Sequence, residues 1–448
     1  MTDKKFILRQ IEVVEEERRK LGEGRLSDRE GNRTIVIGTY KTSRDKETSQ
    51  EHLDELKSLC DTYGLNTVKK IMAPLRKIEA STFLGKGKIE EILQIAEDEK
   101  IDIIIFDDEI LPQQQRNLEK FFKRVVIDRT ELILGVFAQR ARTKEARLQV
   151  QLAQFKYQLP RLKRLWTHLE RQRVSGGTGA YLKGAGERQI EIDRRLLRDR
   201  ISKLEKDIVN VRKQRELQRK SRQRQAIPIF AIVGYTNAGK STLFNALTAD
   251  NVLVEDKLFA TLDTTTRQLY LPNNQKTLLI DTVGFIRKIP TTLVAAFKST
   301  LEEAIKTDIL IHVIDASSKY AIEQAKETQK ILEELGAKKI PTITVFNKID
   351  ECKTKQNILK LRILYPHNVS ISAAKKQNLD QLLEKMEEMI SKLRITLDLK
   401  IPQSHYKIIS SLLKEGRTIN IEYIGNDILM KVEIPAHLEH VVHQFIMS

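Results

Sequence analysis

The sequence predicts an α/β protein: an N-terminal α/β domain, a long antiparallel helical hairpin, a second α/β domain on a mostly parallel sheet, and a small C-terminal α+β domain. Three observations carry this. Apolar β-branched runs alternate with helical patterns up to about residue 138 and again from Ile227, the pattern of βαβ units around parallel sheets. Between these regions lie two helical stretches with matching heptad seams. A chain of 448 residues also exceeds what one core can organise. The expected division is 1–138, 139–225, 226–395 and 396–448.

Residues 1 to about 30 are charged and helix-prone, without sustained apolar periodicity, and predict a weakly docked start. The strands of the first domain are "TIVIGTY", "TVKKIMA", "IDIIIFDD" and "VVIDR", separated by helical patterns such as "EHLDELKSLCDTYG" and "PQQQRNLEKFFK". "FLGKGK" (83–88) lacks the G-x-x-x-x-G-K-[ST] frame of a phosphate loop and reads as a turn opening a helix.

From Leu148 the apolar positions are Leu148, Leu152, Phe155, Leu159, Leu162, Trp166 and Leu169, steps of four and three that define a heptad seam. Pro160 should kink this arm without moving its stripe. Leu197, Ile201, Leu204, Ile208 and Val211 form a second seam. The two arms predict an antiparallel hairpin reaching ~35 to 40 Å at ~1.5 Å per residue. Its tip is the loop 173–186, with five glycines between Gly176 and Gly186. Residues 140–224 hold 25 Lys and Arg against 9 Asp and Glu, an excess of 16 in a chain whose net charge is +17. Such concentration predicts an element facing a polyanion.

The two cysteines, Cys60 and Cys352, lie far apart without ligand-spaced neighbours, which argues against a disulfide framework or a zinc site. There is no run of about 18 apolar residues, and the N-terminus turns charged too soon for a signal peptide. A cytoplasmic protein without integral membrane association is expected.

The chemistry is carried by "IPIFAIVGYTNAGKSTLFNAL" (227–247), an apolar strand, a glycine loop and a helix. It contains G-x-x-x-x-G-K-S as Gly234, Gly239, Lys240 and Ser241. Loop amides and a helix N-terminus surround phosphates, Lys240 offsets β/γ charge, and the Ser241 hydroxyl ligates Mg²⁺. "TLLIDTVGF" (277–285) is a strand ending in D-x-x-G, where Asp281 holds Mg²⁺ through water and the Gly284 amide meets a γ-phosphate. "TITVFNKID" (342–350) ends in N-K-x-D. Guanine presents adjacent N1–H and 2-amino donors that the Asp350 carboxylate accepts together, and adenine has no such pair. Asn347 and Lys348 brace the loop and the base, and Ser372, Ala373 and Ala374 close over it. A guanine nucleotide, bound as GTP or GDP with Mg²⁺, is therefore the predicted ligand.

In "KLFATLDTTTRQLYL" (257–271) a threonine should reach Mg²⁺ and sense the γ-phosphate, and spacing leaves Thr261, Thr264, Thr265 and Thr266 as candidates. Phe285 follows D-x-x-G where many GTPases place a glutamine. A phenyl ring cannot hold a water. Either hydrolysis is slow until another residue or a partner orients the water, or Phe285 packs in the core while a distant side chain does so.

These motifs resemble the HflX family of translation-associated GTPases, within the Obg-like group. The resemblance covers nearly the whole chain, including "FDDEILPQQQRNLE" (106–119), "DRTELILGVFAQRARTKEARLQVQLAQFKYQLPRL" (128–162), "GYTNAGKST", "FATLD" (259–263), "DTVGFI" and "NKID". It implies that the second α/β domain is a P-loop GTPase (G) domain. Its nucleotide contacts would come from Gly234, Tyr235, Thr236, Asn237, Ala238, Gly239, Lys240, Ser241 and Thr242 in the P-loop. Phe259, Ala260, Thr261, Leu262 and Asp263 would follow, then Asp281, Thr282, Val283 and Gly284, and Asn347, Lys348, Ile349 and Asp350. Lys240, Thr261 and Gly284 would serve catalysis, with Ser241 and Thr261 as the metal ligands.

The resemblance further implies binding to the large (50S) ribosomal subunit, with the hairpin directed at rRNA and a role in splitting, rescue or biogenesis of ribosomes. A monomer off the ribosome is expected. The alternative is a GTP-gated RNA-binding assembly factor that splits nothing. Arg173, Tyr181, Lys183, Arg188, Arg194 and Arg195 are the RNA-facing candidates. Similar proteins read close to "GGIGTRGPGETQLE" at the tip. This chain has "GGTGAYLKGAGERQIE", with Leu182-Lys183-Gly184-Ala185 replacing an Arg-Gly-Pro step. The C-terminal piece reads strand, helix, strand, a turn at Gly425–Asp427, strand, helix.

Overall fold

The computed structural model describes residues 32–162, 182–223, 227–248, 258–259, 265–273, 275–288, 307–352, 355–392, 394–415, 417–435 and 439–447. They form two compact units. The first runs to Ile208 and takes in Leu258, Phe259 and Lys288, and the second begins at Val209 and holds the rest.

In the first unit, strands β1 (Arg33–Tyr40), β2 (Asn66–Pro74), β3 (Ile103–Phe106) and β4 (Val125–Asp128) pair in parallel in the order β2-β1-β3-β4. Helices α1 (Asp45–Tyr63), α2 (Lys86–Asp98) and α3 (Pro112–Phe122) are the crossovers that parallel strands need, and α4 (Arg129–Arg140) follows β4. The chain leaves α1 through Gly64 at φ +94°, a left-handed cap that favours glycine. Gly85 stands at the start of α2, so "FLGKGK" does open a helix. Ile35, Ile37, Ile104, Phe106 and Val126 fill the core.

Carboxylates gather where β3 and β4 end. Arg129 is buried and pairs with Glu55 and Asp107, while Lys288 reaches Asp107 at 3.0 Å and Asp108 at 2.7 Å. Asp128 is fully buried, accepts the Glu131 amide at 2.9 Å as the cap of α4, and accepts the Tyr157 hydroxyl at 3.0 Å. Burial pushes its carboxyl up to about 6, against the opposing pull of Arg161. In this same unit Leu258 donates its amide to the Thr62 hydroxyl at 3.2 Å. The Phe259 ring, buried and at φ +55°, meets Phe137 edge-on at 4.5 Å.

Helix α5 (Lys144–Gln158) carries Leu148, Leu152 and Phe155 of the first seam, the 42-residue helix α6 (Leu182–Gln223) carries the second, and Trp166 and Leu169 lie outside the described residues. Leu152, Leu204 and Ile208 are buried together with Leu148, Phe155 and Ile201 packed against them, as heptad spacing requires. Lys156 and Glu205 pair at 2.7 Å beside the seam. Pro160 lies in a 3-10 turn (Leu159–Arg161) directly after α5, which suits a residue without an amide. The expected tip loop 173–186 is corrected at its C-terminal side, because α6 begins at Leu182 and runs through Gly184 and Gly186. Each glycine costs a helix about 1 kcal/mol. With no proline in Leu182-Lys183-Gly184-Ala185 and helix formers around it, nothing stops the helix there. The remainder of the predicted loop lies outside the described residues.

In the second unit, β5 (Ile229–Gly234), β6 (Thr265–Tyr270), β7 (Lys276–Asp281), β8 (Ile309–Asp315), β9 (Thr342–Asn347) and β10 (Asn368–Ser370) form a sheet of order β10-β9-β8-β5-β7-β6. All pairings are parallel except β6 with β7. Helices α7 (Lys240–Thr248), α8 (Ala321–Glu334), α9 (Lys355–Leu364) and α10 (Leu379–Lys392) accompany it. The near-continuous apolar runs of β5, β8 and β9 are those of strands buried on both faces. Next come β11 (Arg394–Pro402), α11 (Tyr406–Glu415), β12 (Arg417–Ile424), β13 (Asp427–Pro435) and the short α12 (Glu439–Val442). Their antiparallel sheet runs β11-β13-β12, with Gly425 at φ +59° in the tight turn.

Candidate nucleotide site

Parallel strands end on one edge, so the neighbours β9, β8, β5 and β7 deliver Asn347, Asp315, Gly234 and Asp281 side by side. This is the edge where open α/β sheets bind ligands. Backbone approach is close enough to dictate glycine. A Cβ on Gly234 would stand 2.3 Å from the Val313 carbonyl oxygen, and one on Gly239, at φ +89°, would stand 2.2 Å from Asn347 Nδ2.

Asn347 is the brace. Buried at the end of β9, it donates from Nδ2 to the Ala238 carbonyl at 2.9 Å and accepts the Ala373 amide on Oδ1 at 3.0 Å. One side chain thus holds the P-loop and the 372–374 loop together. Lys348, at φ +61°, pairs with Asp315 at 2.8 Å. Asp350 lies in a 3-10 turn (Ile349–Glu351) and its carboxylate meets Lys375 at 3.4 Å. The Ser372 hydroxyl, and after it Lys375, holds the Asp350 carboxyl below its ordinary range. Ser372 and Ala373 are buried and Ala374 is exposed.

On the phosphate side, Lys240 is buried and donates to the Tyr235 carbonyl at 2.6 Å. Burial pulls its ammonium down to about 8, with the Asp281 charge opposing. Ser241 donates to Asp281 Oδ2 at 2.9 Å, and Asp281 is fully buried. The Thr236 hydroxyl is buried with no partner among the described residues. A hydroxyl beside a carboxylate is an all-oxygen donor set that fits Mg²⁺. No cluster of three or more His, Cys, Asp or Glu that could hold a metal occurs among the described residues. Thr282 is turned inward, donating to Ile232 O at 2.6 Å, and Val283 is buried. Gly284 has no room for a Cβ, which would lie 2.9 Å from Lys240 Nζ and 3.0 Å from Thr236 Cα. Asn237, at φ +60°, is exposed at the loop crest, and Thr242 is half-buried on the first turn of α7.

Phe285 is 1% exposed and packs in the core. The Phe259 ring is buried against Phe137 in the first unit. Of the threonine candidates, Thr265 and Thr266 lie in β6, paired with Asp281 and Ile280. Ala260, Thr261, Leu262, Asp263 and Thr264 lie outside the described residues, as do Arg173 and Tyr181. Lys183 and Arg188 fall on α6, where Arg194 is half-buried and Arg195 exposed.

Sequence reasoning missed Asp315 and Lys375. The first had a signal, an aspartate closing the central strand "ILIHVID". The second follows "SAA" directly, within reach of the base loop.

Family models match residues 50–138 (GTP-binding GTPase N-terminal), 140–222 (GTP-binding GTPase Middle Region) and 229–348 (50S ribosome-binding GTPase). GTPase HflX of Chlamydia pneumoniae is 46% identical over 420 residues, 94% of this chain and 89% of that protein. The chain belongs to the HflX family. GTPase HflX of Escherichia coli K12 is 40% identical over 408 residues, 90% of this chain and 94% of that one. A solved structure titled as the SsGBP and GDP complex is 28% identical, covering 81% of this chain and 99% of that one at a TM-score of 0.47. As an HflX-family GTPase, this chain binds and hydrolyses GTP. No helix among its described residues is long and apolar enough to cross a membrane.

Proposed function

We propose that this HflX GTPase works on the large ribosomal subunit, with the basic hairpin set against rRNA and GTP hydrolysis governing its release. The carrying observation is the coincidence of the charge excess over 140–224 with the seam that packs α5 on α6, in a chain whose residues 229–348 match a family described as 50S ribosome-binding. The working division remains 1–138, 139–225, 226–395 and 396–448, and the RNA-facing set includes Lys183, Arg188, Arg194 and Arg195.

In the nucleotide site Asp350 accepts the guanine N1–H and 2-amino donors. Asn347 keeps the base loop in register with the P-loop, and Lys348 lies along the base, held by Asp315. Lys240 and the amides from Gly234 to Thr242 take the phosphates. Ser241 and Thr261 would ligate Mg²⁺ directly and Asp281 through water; the ion supplies charge neutralisation on the transferred phosphoryl group. The Gly284 amide meets the γ-phosphate. No side chain at Phe285 orients water, so order imposed on the 257–271 segment by a bound partner raises the rate.

The test is steady-state GTPase activity with and without purified large subunits, repeated across a salt series. Strong stimulation that weakens steeply with salt is expected, since each phosphate contact releases counterions. Absence of stimulation would refute the ribosomal role, and a flat salt response would remove the hairpin from it.

A further inference from the structure

The motif G-x-x-x-x-G-K-S leaves Tyr235 unspecified, yet three parts of this residue are engaged at once. Its carbonyl accepts Lys240 Nζ at 2.6 Å. Its hydroxyl accepts the Arg287 amide at 3.0 Å. Its backbone forms a parallel bridge with Phe285, flanked by Phe285 N–H to Gly234 O at 3.0 Å and Thr236 N–H to Phe285 O at 2.7 Å. Tyr235, Phe285 and Ile286 are all buried. The chain at Phe285 is therefore held to the P-loop by an isolated bridge, with Gly284 wedged between Lys240 and Thr236 just before it and Arg287 in the turn just after. Packing alone would be served by any ring. The hydroxyl is the part that reaches beyond the β-bridge and catches the strip at its far end.

We propose that Tyr235 is a positioning residue for GTP hydrolysis: its hydroxyl pins the D-x-x-G-F-I-R strip to the P-loop and so fixes the Gly284 amide beside Lys240, where the γ-phosphate is received. This rests on the assignment of Gly284 to the γ-phosphate made above. The hydroxyl acts through Gly284 rather than on the nucleotide. Since GDP has no γ-phosphate, the hydroxyl matters for GTP and not for GDP.

Tyr235→Phe tests this, because it keeps the ring, the β-bridge and the Lys240 contact while deleting one acceptor. GDP affinity stays within about twofold of wild type. GTP-analogue affinity falls roughly three- to tenfold, the worth of one hydrogen bond, and kcat falls at least as much. An unchanged GTP:GDP affinity ratio overturns the proposal, and so does an equal loss of both, which would mean a packing role. Amide exchange in the wild-type GDP complex gives a second measurement independent of the variant: Arg287 should be protected, and rapid exchange there also overturns the proposal. Asp350→Asn in parallel separates the levels. If it leaves the guanine preference intact, the nucleotide-site assignment itself is wrong, whatever Tyr235 does.

Discussion

Asn347→Ala removes a side chain that joins the base loop to the phosphate loop. Two buried backbone groups lose partners, the Ala238 carbonyl at 2.9 Å and the Ala373 amide at 3.0 Å. Each buried group left unsatisfied costs about 1 to 3 kcal/mol. Water entering the space beside Gly239 recovers part of this, so about 2 to 4 kcal/mol is the expected total. The cost divides between two observables. Where the loops stay in place, it appears as lost folding stability, about 2 to 4 °C in Tm per kcal/mol for a domain of this size. Where they loosen, nucleotide binding must reorder them, and affinity falls by roughly 30- to 800-fold if all of it lands there. Titration of a fluorescent GDP together with a thermal melt of the free protein measures both. A variant that melts within a degree of wild type and binds GDP within threefold would refute the brace.

Asp350→Asn exchanges a double acceptor for a group with one donor and one acceptor, which matches xanthine; competition between GTP and XTP should show preference moving to XTP, and unchanged GTP affinity would remove Asp350 from the base site. The ammonium of Lys240 lies below its unfolded value, at about 8, so its cationic form is complete below about pH 7 and is lost as pH rises through 8. GTP affinity should therefore be flat below pH 7 and fall by up to about tenfold per unit above 8. Lys240→Met should abolish that slope, and a wild-type profile flat to pH 9.5 would show that burial does not control this lysine.

The parts of the fold readable in the sequence are those where one periodicity acts alone. β5 and β9 are apolar on both faces and end in motif residues, so strand, loop and chemistry coincide at Gly234 and Asn347. The seam through Leu152, Leu204 and Ile208 was readable because heptads constrain spacing and packing together. Where α6 starts was not. Glycine lowers helix propensity by an amount that neighbouring residues can offset, so a run of glycines does not mark a helix boundary as a proline would. Phe285 was ambiguous because a motif places a residue in the chain but not the direction of its side chain. The environments of Phe259 and Tyr235 were unreadable for a related reason. Their partners, Phe137 and Arg287, are set by tertiary packing that leaves no periodic trace.

The first unit's hold on Phe259 and Lys288 bears on how the chain can be divided. Both residues fall within the segment 226–395 that the motifs mark as a self-contained enzyme, yet one rests on Phe137 and the other on Asp107 and Asp108. Cut out as a separate protein, that segment would wet an aromatic ring and leave a lysine without its counter-charges. Modularity at the level of sequence therefore overstates modularity at the level of matter. A fragment chosen by its motifs alone would differ from the parent at these two points.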